Sequence, residues 1–179
     1  MDLRIGTSGW SYPSGRGTWN GVFYPSPRPR GFDELAFYAE RFNTVEVNST
    51  FYGVPRPQTA RRWVERTPPS FEFSVKLFQK FTHPAMFRAG AARDAPGAGP
   101  GWLDDLAAIT IGDIDQFKAG IDPIWSAGRA GALLAQFPPS FTATPEAVDY
   151  LGWLLRTFDG YNVAVELRHK SWSDRLDDT

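Results

Sequence analysis

Four charged residues lie on or just after short, β-branched segments of the sequence, where their side chains could carry acid–base chemistry. They are Glu46, Lys76, Glu166 and Arg168. A carboxylate transfers a proton, and neighbouring cations hold an anionic group. The alternative is an ion-pair network that neutralises itself and only fixes strand register. We favour a functional site because burying four charges is costly, and such a cost is more readily explained where chemistry is performed.

The segments that carry these residues have the pattern of strands. Five strands are predicted, at residues 3–6, 44–47, 72–77, 132–136 and 163–167. Successive side chains of a strand point to opposite faces. In the second segment Val45 and Val47 point one way, whereas Glu46 and Asn48 point the other. Each charged residue therefore falls on a polar face that opposes an apolar one.

Longer amphipathic segments alternate with these strands and predict helices at residues 32–42, 57–66, 113–127 and 144–158. The third is expected to be kinked or broken at Pro123. This alternation is typical of β/α units around a parallel sheet. An open doubly wound sheet needs two apolar faces, so we predict an α/β fold of the TIM-type (β/α) barrel class, with its site at the carboxyl ends of the strands.

The predicted barrel is incomplete, with about the first five strands of eight. A complete barrel takes about 250 residues, and this chain has 179. We therefore predict a single domain over residues 1–179, the N-terminal portion of a barrel, and a truncated product that is an inactive fragment. Residues 88–101 are almost all Ala, Gly, Pro and Arg and predict a flexible excursion. The aromatic-rich first loop, residues 12–30, is expected to be packed.

Composition excludes several classes of function. The net charge of −1 and pI near 6.1 provide no overall field for nucleic acid or an anionic membrane. The sequence has no cysteine, which excludes disulfides and thiolate metal sites. No apolar run predicts a signal peptide or membrane span, so a cytoplasmic protein without membrane contact is expected. The sequence contains no P-loop, dinucleotide fingerprint or nucleophile elbow, and no cofactor is predicted from it.

Several motifs resemble the YecE-like family, also called domain of unknown function 72. They cover nearly the whole chain in the expected order: Gly6-Thr7-Ser8-Gly9-Trp10-Ser11-Tyr12, Phe23-Tyr24-Pro25, residues 42–52, Phe73-Ser74-Val75-Lys76, Thr82-His83, residues 136–141, Val165-Glu166-Leu167-Arg168-His169 and Ser171-Trp172. The resemblance implies a TIM-type barrel without an established activity. It also implies further strands and helices after the Ser171-Trp172 element.

The candidate site residues divide into two groups. The predicted catalytic residues are Glu46, Lys76 and Glu166. The predicted substrate-binding residues come from the strand ends and the segments that follow them: Trp10, Asn48, Tyr52, His83, Gln136, Arg168 and His169. No metal ligand is assigned.

Three functions stay open at this point. The first is acid–base or phosphate-binding chemistry on a small anionic substrate, with a carboxylate moving a proton while Lys76 and Arg168 hold the anion. The second is a metal-dependent hydrolase or isomerase using Glu46, Glu166 and the two histidines. The third is a nucleic-acid-binding module, in which arginines near Trp63 would contact the nucleic acid. A solvated helix face explains these arginines better.

Overall fold

The computed structural model describes residues 3–83 and 109–177, with side chains as far as residue 174. The predicted excursion at residues 88–101 lies outside the described residues. Along the described chain the elements follow in this order: α1 (Glu34–Ala39), β1 (Thr44–Val47), α2 (Ser49–Tyr52), α3 (Pro57–Glu65), β2 (Glu72–Lys76), α4 (Gln79–Thr82), α5 (Ile111–Ser126), β3 (Ala130–Gln136), α6 (Pro145–Thr157), β4 (Val163–Glu166) and α7 (Ser171–Asp177).

The four strands form one parallel sheet in the order β1-β2-β3-β4. Parallel neighbours need a crossover connection, and helices supply it here. Burial alternates along β1 and β2, as the two-residue period of a strand requires. The buried face carries Val45, Val47, Phe73, Val75, Leu133 and Ala135. The predicted α/β architecture with a parallel sheet is confirmed.

The prediction of a first strand at residues 3–6 was wrong. The N-terminal segment runs parallel to β1, but the described residues form only an isolated bridge between Ser8 and Glu46. The amide of Glu46 donates to Thr7 O over 3.0 Å, and the amide of Gly9 donates to Glu46 O over 2.9 Å. Before this point the Asn43 side chain bonds Ile5 N and Leu3 O, while the Asn43 amide still donates to Ile5 O over 3.2 Å. The amide of Thr7 donates to the Tyr38 hydroxyl. Side chains therefore bind two amides that a regular ladder would pair with the backbone of β1.

The helix ends follow from local chemistry. Asp33 caps α1 by accepting from the amides of Leu35 and Ala36, which makes α1 shorter than predicted. Thr110 and Asp113 form a reciprocal capping box at α5. The expected break at Pro123 does not occur. Helix α5 continues through this residue, and the Pro123 carbonyl accepts from the amide of Ala127. Proline removes a donor but leaves its own carbonyl available.

Three short helices were missed by the sequence patterns. They are α2, α4 and α7, and they follow β1, β2 and β4 within a few residues. A segment of 4 residues is too short to show a helical hydrophobic period. These helices matter because they lie at the carboxyl ends of the strands, where the candidate site residues were expected.

The aromatic residues of the first loop are packed, as predicted. Trp19 stacks on Tyr38 with ring centres 6.2 Å apart, and Phe23 meets Phe37 edge to face at 5.5 Å. Tyr24 is only 1% exposed. Such pairs add to the stabilisation that comes from burying aromatic area. The loop is thereby fixed against α1.

No helix in the described part of the chain is long and apolar enough to cross a membrane. The cytoplasmic location stays a prediction.

Two glycines of α5 provide a matched test of the packing of α5 on the segment that precedes α3. A Cβ on Gly120 would collide with the backbone oxygen of Pro55, whereas a Cβ on Gly112 would lie 3.6 Å from the Thr110 hydroxyl. We expect Gly120→Ala to lower the free energy of unfolding by about 1–3 kcal/mol through overpacking. Gly112→Ala should be neutral or stabilise by up to about 1 kcal/mol. Urea unfolding of both variants measures this, and equal effects would contradict the packing argument.

Candidate functional site

A chain of polar side chains crosses the half-exposed face of the sheet at the carboxyl ends of three strands. Lys76 Nζ donates to Gln136 Oε1 over 2.7 Å, and Gln136 Nε2 donates to Glu166 Oε2 over 2.6 Å. Arg168 Nε then donates to Glu166 Oε1 over 2.6 Å. We call these four residues the strand-end network. It unites four of the ten predicted site residues.

The register of the strands explains why these residues meet. Gln136 lies directly opposite Glu166, and Lys76 lies opposite Leu134, two residues before Gln136. Paired residues in register point to the same face, so a long lysine side chain reaches the amide diagonally. The two-residue period of the strands thus brings a cation, an amide and a carboxylate into one row.

Glu166 is held as an anion. Hydrogen bonds from Gln136 and Arg168, in that order of importance, lower the pKa of its carboxyl group. Donors that bind the charged form of a carboxylate favour that form. Both Glu166 oxygens are engaged, which suits the residue to orienting its partners.

Lys76 forms no ion pair with a carboxylate among the described residues. Its ammonium group lies 4.7 Å from the centre of the Phe51 ring, close enough for a cation–π interaction. The buried hydroxyl of Thr50 bonds the carbonyl of Lys76 over 2.6 Å and that of Val47 over 2.8 Å. Helix α2 therefore supports the lysine through both its side chain and its backbone.

His83, at the end of α4, lies within the field of this network. Burial, which is the largest cause, and the positive charges of Lys76 and Arg168 together lower the pKa of His83 to about 4. The ring packs edge to face on Phe51 at 5.0 Å, and Nδ1 lies 2.9 Å from the Thr82 hydroxyl. His83 is therefore neutral near pH 7, and it lies where the electrostatic fields of Lys76 and Arg168 overlap.

Glu46 belongs to a second group at the carboxyl end of β1. Ser8 Oγ donates to Glu46 Oε1 over 2.9 Å, and Asn48 Nδ2 donates to Ser8 Oγ. Glu46 Oε2 accepts no hydrogen bond from the side chains in residues 3–83 and 109–174. Glu46 pairs with Ser74, which lies two residues before Lys76 on the same face of β2. The two groups therefore lie on adjacent strands, and no hydrogen bond joins them among the described residues.

The remaining predicted site residues are not part of either group. Trp10 packs edge to face on Trp63 at 5.8 Å. Tyr52 is 72% exposed and contacts the ring of Phe51 at 5.1 Å. His169 Nδ1 accepts from the backbone amide of Ser171 over 3.1 Å, and so it caps the start of α7.

Three contributing residues were not predicted as site residues: Ser8, Thr50 and Phe51. Ser8 stands in the glycine-flanked segment Gly6-Thr7-Ser8-Gly9, which was a usable signal because glycines permit close approach to a neighbouring strand. A Cβ on Gly6 would collide with the backbone of Thr44. Thr50 and Phe51 depend on α2, which no periodicity reveals.

The two other functional hypotheses gain little from the geometry. Within the described residues no three His, Asp or Glu side chains gather as a metal ion would require. Of the arginines near Trp63, Arg66 pairs with Asp33 over 3.2 Å. Trp63 itself is only 6% exposed and belongs to the core.

Comparison with known proteins identifies the family. Residues 4–178 match the family described as "Protein of unknown function DUF72". The chain belongs to the DUF72 family. The resemblance inferred from the sequence motifs is confirmed, and the DUF72 match extends over both polar groups of the site.

The curated relatives are similar to this DUF72 chain over nearly all of its length. It is 30% identical to the UPF0759 protein YunF of Bacillus subtilis over 170 residues, which cover 95% of this chain and 52% of YunF. It is also 30% identical to the UPF0759 protein YecE of Escherichia coli K12 over 168 residues, 93% of this chain and 48% of YecE. The chain spans about half the length of these relatives.

Solved structures of DUF72 proteins have the same fold. The chain matches one from Enterococcus faecalis with a TM-score of 0.71 at 21% identity, covering 98% of this chain and 55% of that one. It matches one from Thermotoga maritima with a TM-score of 0.62 at 30% identity, covering 94% and 56%. The family name and these structures assign no activity.

The pKa of His83 reports on the field of the strand-end network. We expect Lys76→Met to raise this pKa above about 4, because one of the two cations that disfavour the protonated ring is removed. The value should stay below 6.5, since burial is the largest cause. Titration of the ring protons by NMR measures the shift. Lys170→Met, which removes an exposed lysine paired with Asp174, is the control and should leave the pKa of His83 unchanged.

The same lowered pKa predicts a loss of stability in acid. Between pH 6.5 and about 4 the unfolded His83 binds a proton that the folded one does not. Lowering the pH through this window therefore favours unfolding. We expect the free energy of unfolding to fall across the window in the native chain, and to fall less steeply in His83→Gln. Chemical unfolding at several pH values measures both slopes, and identical slopes would show that another group is responsible.

Proposed function

We propose that this DUF72 chain carries the anion-binding and proton-transferring residues of an enzyme that acts on a small anionic substrate, with phosphate as the anionic group. The observation that carries the proposal is the ammonium group of Lys76, which forms no direct ion pair among the described residues and whose field reaches His83 together with that of Arg168. A lysine that is held in place and has donors to spare binds phosphate oxygens as a point charge.

Glu46 is the proposed proton-transferring residue. One of its oxygens is oriented by Ser8, and the other accepts nothing from the described side chains. A general base needs an available lone pair within reach of the substrate. Glu46 pairs with Ser74, which lies two residues before Lys76 on the same face of the adjacent strand. A substrate held by Lys76 would therefore present a neighbouring atom to Glu46.

In the proposal Glu166 is a positioning residue and not a catalytic base. Its carboxylate holds Gln136 on one oxygen and Arg168 on the other. A lowered pKa makes it a weak proton acceptor at neutral pH. We assign it to positioning: it sets the direction of the Arg168 guanidinium and of the Gln136 amide, which in turn fixes Lys76.

A TIM-type barrel is the architecture that we propose for the complete fold. The helices cover one face of the sheet, and the other carries the half-exposed polar residues. In a barrel that second face turns inward, and sites form at the carboxyl ends of the strands.

Inorganic phosphate and a panel of phosphorylated metabolites test the proposal on the full chain. We expect at least one of them to raise the melting temperature. Lys76→Met should weaken its affinity about tenfold or more, because a charged hydrogen bond contributes roughly 1.5–3 kcal/mol. Lys170→Met is the matched control, which removes the same charge from an exposed position. Its affinity should equal that of the native chain.

Two outcomes would contradict the proposal that phosphate binds at this site. If no phosphorylated compound stabilises the chain, or if both lysine variants bind equally well, phosphate is not the ligand of this site. Glu46→Gln separates binding from chemistry. It should retain the affinity for phosphate, since Glu46 contacts Ser8 and not Lys76.

A further inference from the structure

A cavity of about 320 Å³ lies beside the Glu46 group. The described side chains that line it are uncharged: Ser8, Trp10, Ser11, Tyr12, Asn48 and Ser49. Four hydroxyl groups, one of them on Tyr12, one amide and two aromatic rings therefore surround it. Pockets of this size and kind hold small molecules by a few directed polar contacts against an apolar wall.

The polar groups of the cavity have bonding capacity to spare. Asn48 donates one amide hydrogen to Ser8, which leaves its second hydrogen and its oxygen without partners among the described residues. The hydroxyls of Ser11 and Ser49 also make no side-chain bond within that part of the chain. Hydroxyls and amides are donors and acceptors at once. They match a ligand whose own groups are donors and acceptors at once, and that ligand is a polyol.

The two aromatic rings are fixed before any ligand arrives. Trp10 is held edge to face by Trp63, and the ring of Tyr12 lies 4.7 Å from that of Trp19. The Tyr12 hydroxyl bonds the carbonyl of Ser8. Ring faces carry negative charge density and attract the weakly positive hydrogens on carbon. A hydroxylated ring presents such hydrogens on one face and its hydroxyls at its edge.

Helix α2 connects the cavity to Lys76. Ser49 lines the cavity, and Phe51, two residues later, lies under the Lys76 ammonium group. We infer that the cavity binds the uncharged, hydroxylated part of the substrate, so that the substrate class is a phosphorylated polyol of the sugar phosphate kind. This inference rests on the proposed function for its phosphate, but the cavity can be tested without it.

The test compares three sugar phosphates with inorganic phosphate by calorimetric titration of the full chain. The probes are glucose 6-phosphate, ribose 5-phosphate and glycerol 3-phosphate, with neutral glucose, ribose and glycerol as their uncharged counterparts. We expect one sugar phosphate to bind about tenfold more tightly than inorganic phosphate, because additional hydrogen bonds form in the cavity. Asn48→Ala should remove this advantage and leave the affinity for inorganic phosphate unchanged.

Ser11→Ala is the second variant, because it removes a cavity hydroxyl without touching any described side-chain bond. It should also weaken the sugar phosphate and spare inorganic phosphate. If sugar phosphates bind no better than phosphate, while phosphate binding still depends on Lys76, the inference is wrong and the proposed function stands.

Failure of the proposed function gives a different pattern. If neither phosphate nor any sugar phosphate binds, the sugar phosphate class is wrong and the neutral sugars test the polyol cavity alone. Binding of a neutral sugar that Asn48→Ala abolishes supports a polyol cavity, and no binding overturns it. Adenosine is the competing probe, because an asparagine amide and aromatic rings also suit a nucleobase. Binding of adenosine but of no sugar would overturn the assignment to a polyol.

Discussion

Every contact at the candidate site depends on the alternation of side chains along parallel strands held in one register. The apolar set, represented by Val45 and Val75, is buried by the helices, which fixes the opposite set on the other face. A slip of one residue in any strand would exchange the two faces. The hydrophobic core thus determines where Lys76 and Glu166 point, although neither belongs to it.

The segments after the strands complete what the strands begin. In α2 the buried hydroxyl of Thr50 joins the ends of β1 and β2 through two carbonyl groups. The next residue, Phe51, contacts both Lys76 and His83. A single turn of helix therefore ties the backbone that carries the lysine to the surface beneath its charge. This division between a rigid sheet and short connecting segments is usual where a parallel sheet carries a site.

The sequence predicted the sheet well because burial imposes a simple period. The bounds of β1 agree with the prediction at both ends, and β4 differs by one residue. The polar row was also predictable, since its members alternate with apolar residues. The N-terminal strand was overpredicted, because the side chains of Asn43 and Tyr38 bind the amides of Ile5 and Thr7 and leave the backbone ladder incomplete. The participation of Ser8 depends on a long-range contact with Glu46, and local patterns carry no information on such contacts.

Gln136 gives the site a property that its charges alone would not. Its amide accepts from a cation on one side and donates to an anion on the other, and so it stands between Lys76 and Glu166 as a neutral dipole. A direct ion pair would have cancelled the two charges. With the amide between them, each charge is oriented and the two do not meet in a direct ion pair. The residue acts as an electrostatic spacer: a glutamate there would pair with Lys76 directly, but it would also set a second carboxylate against Glu166.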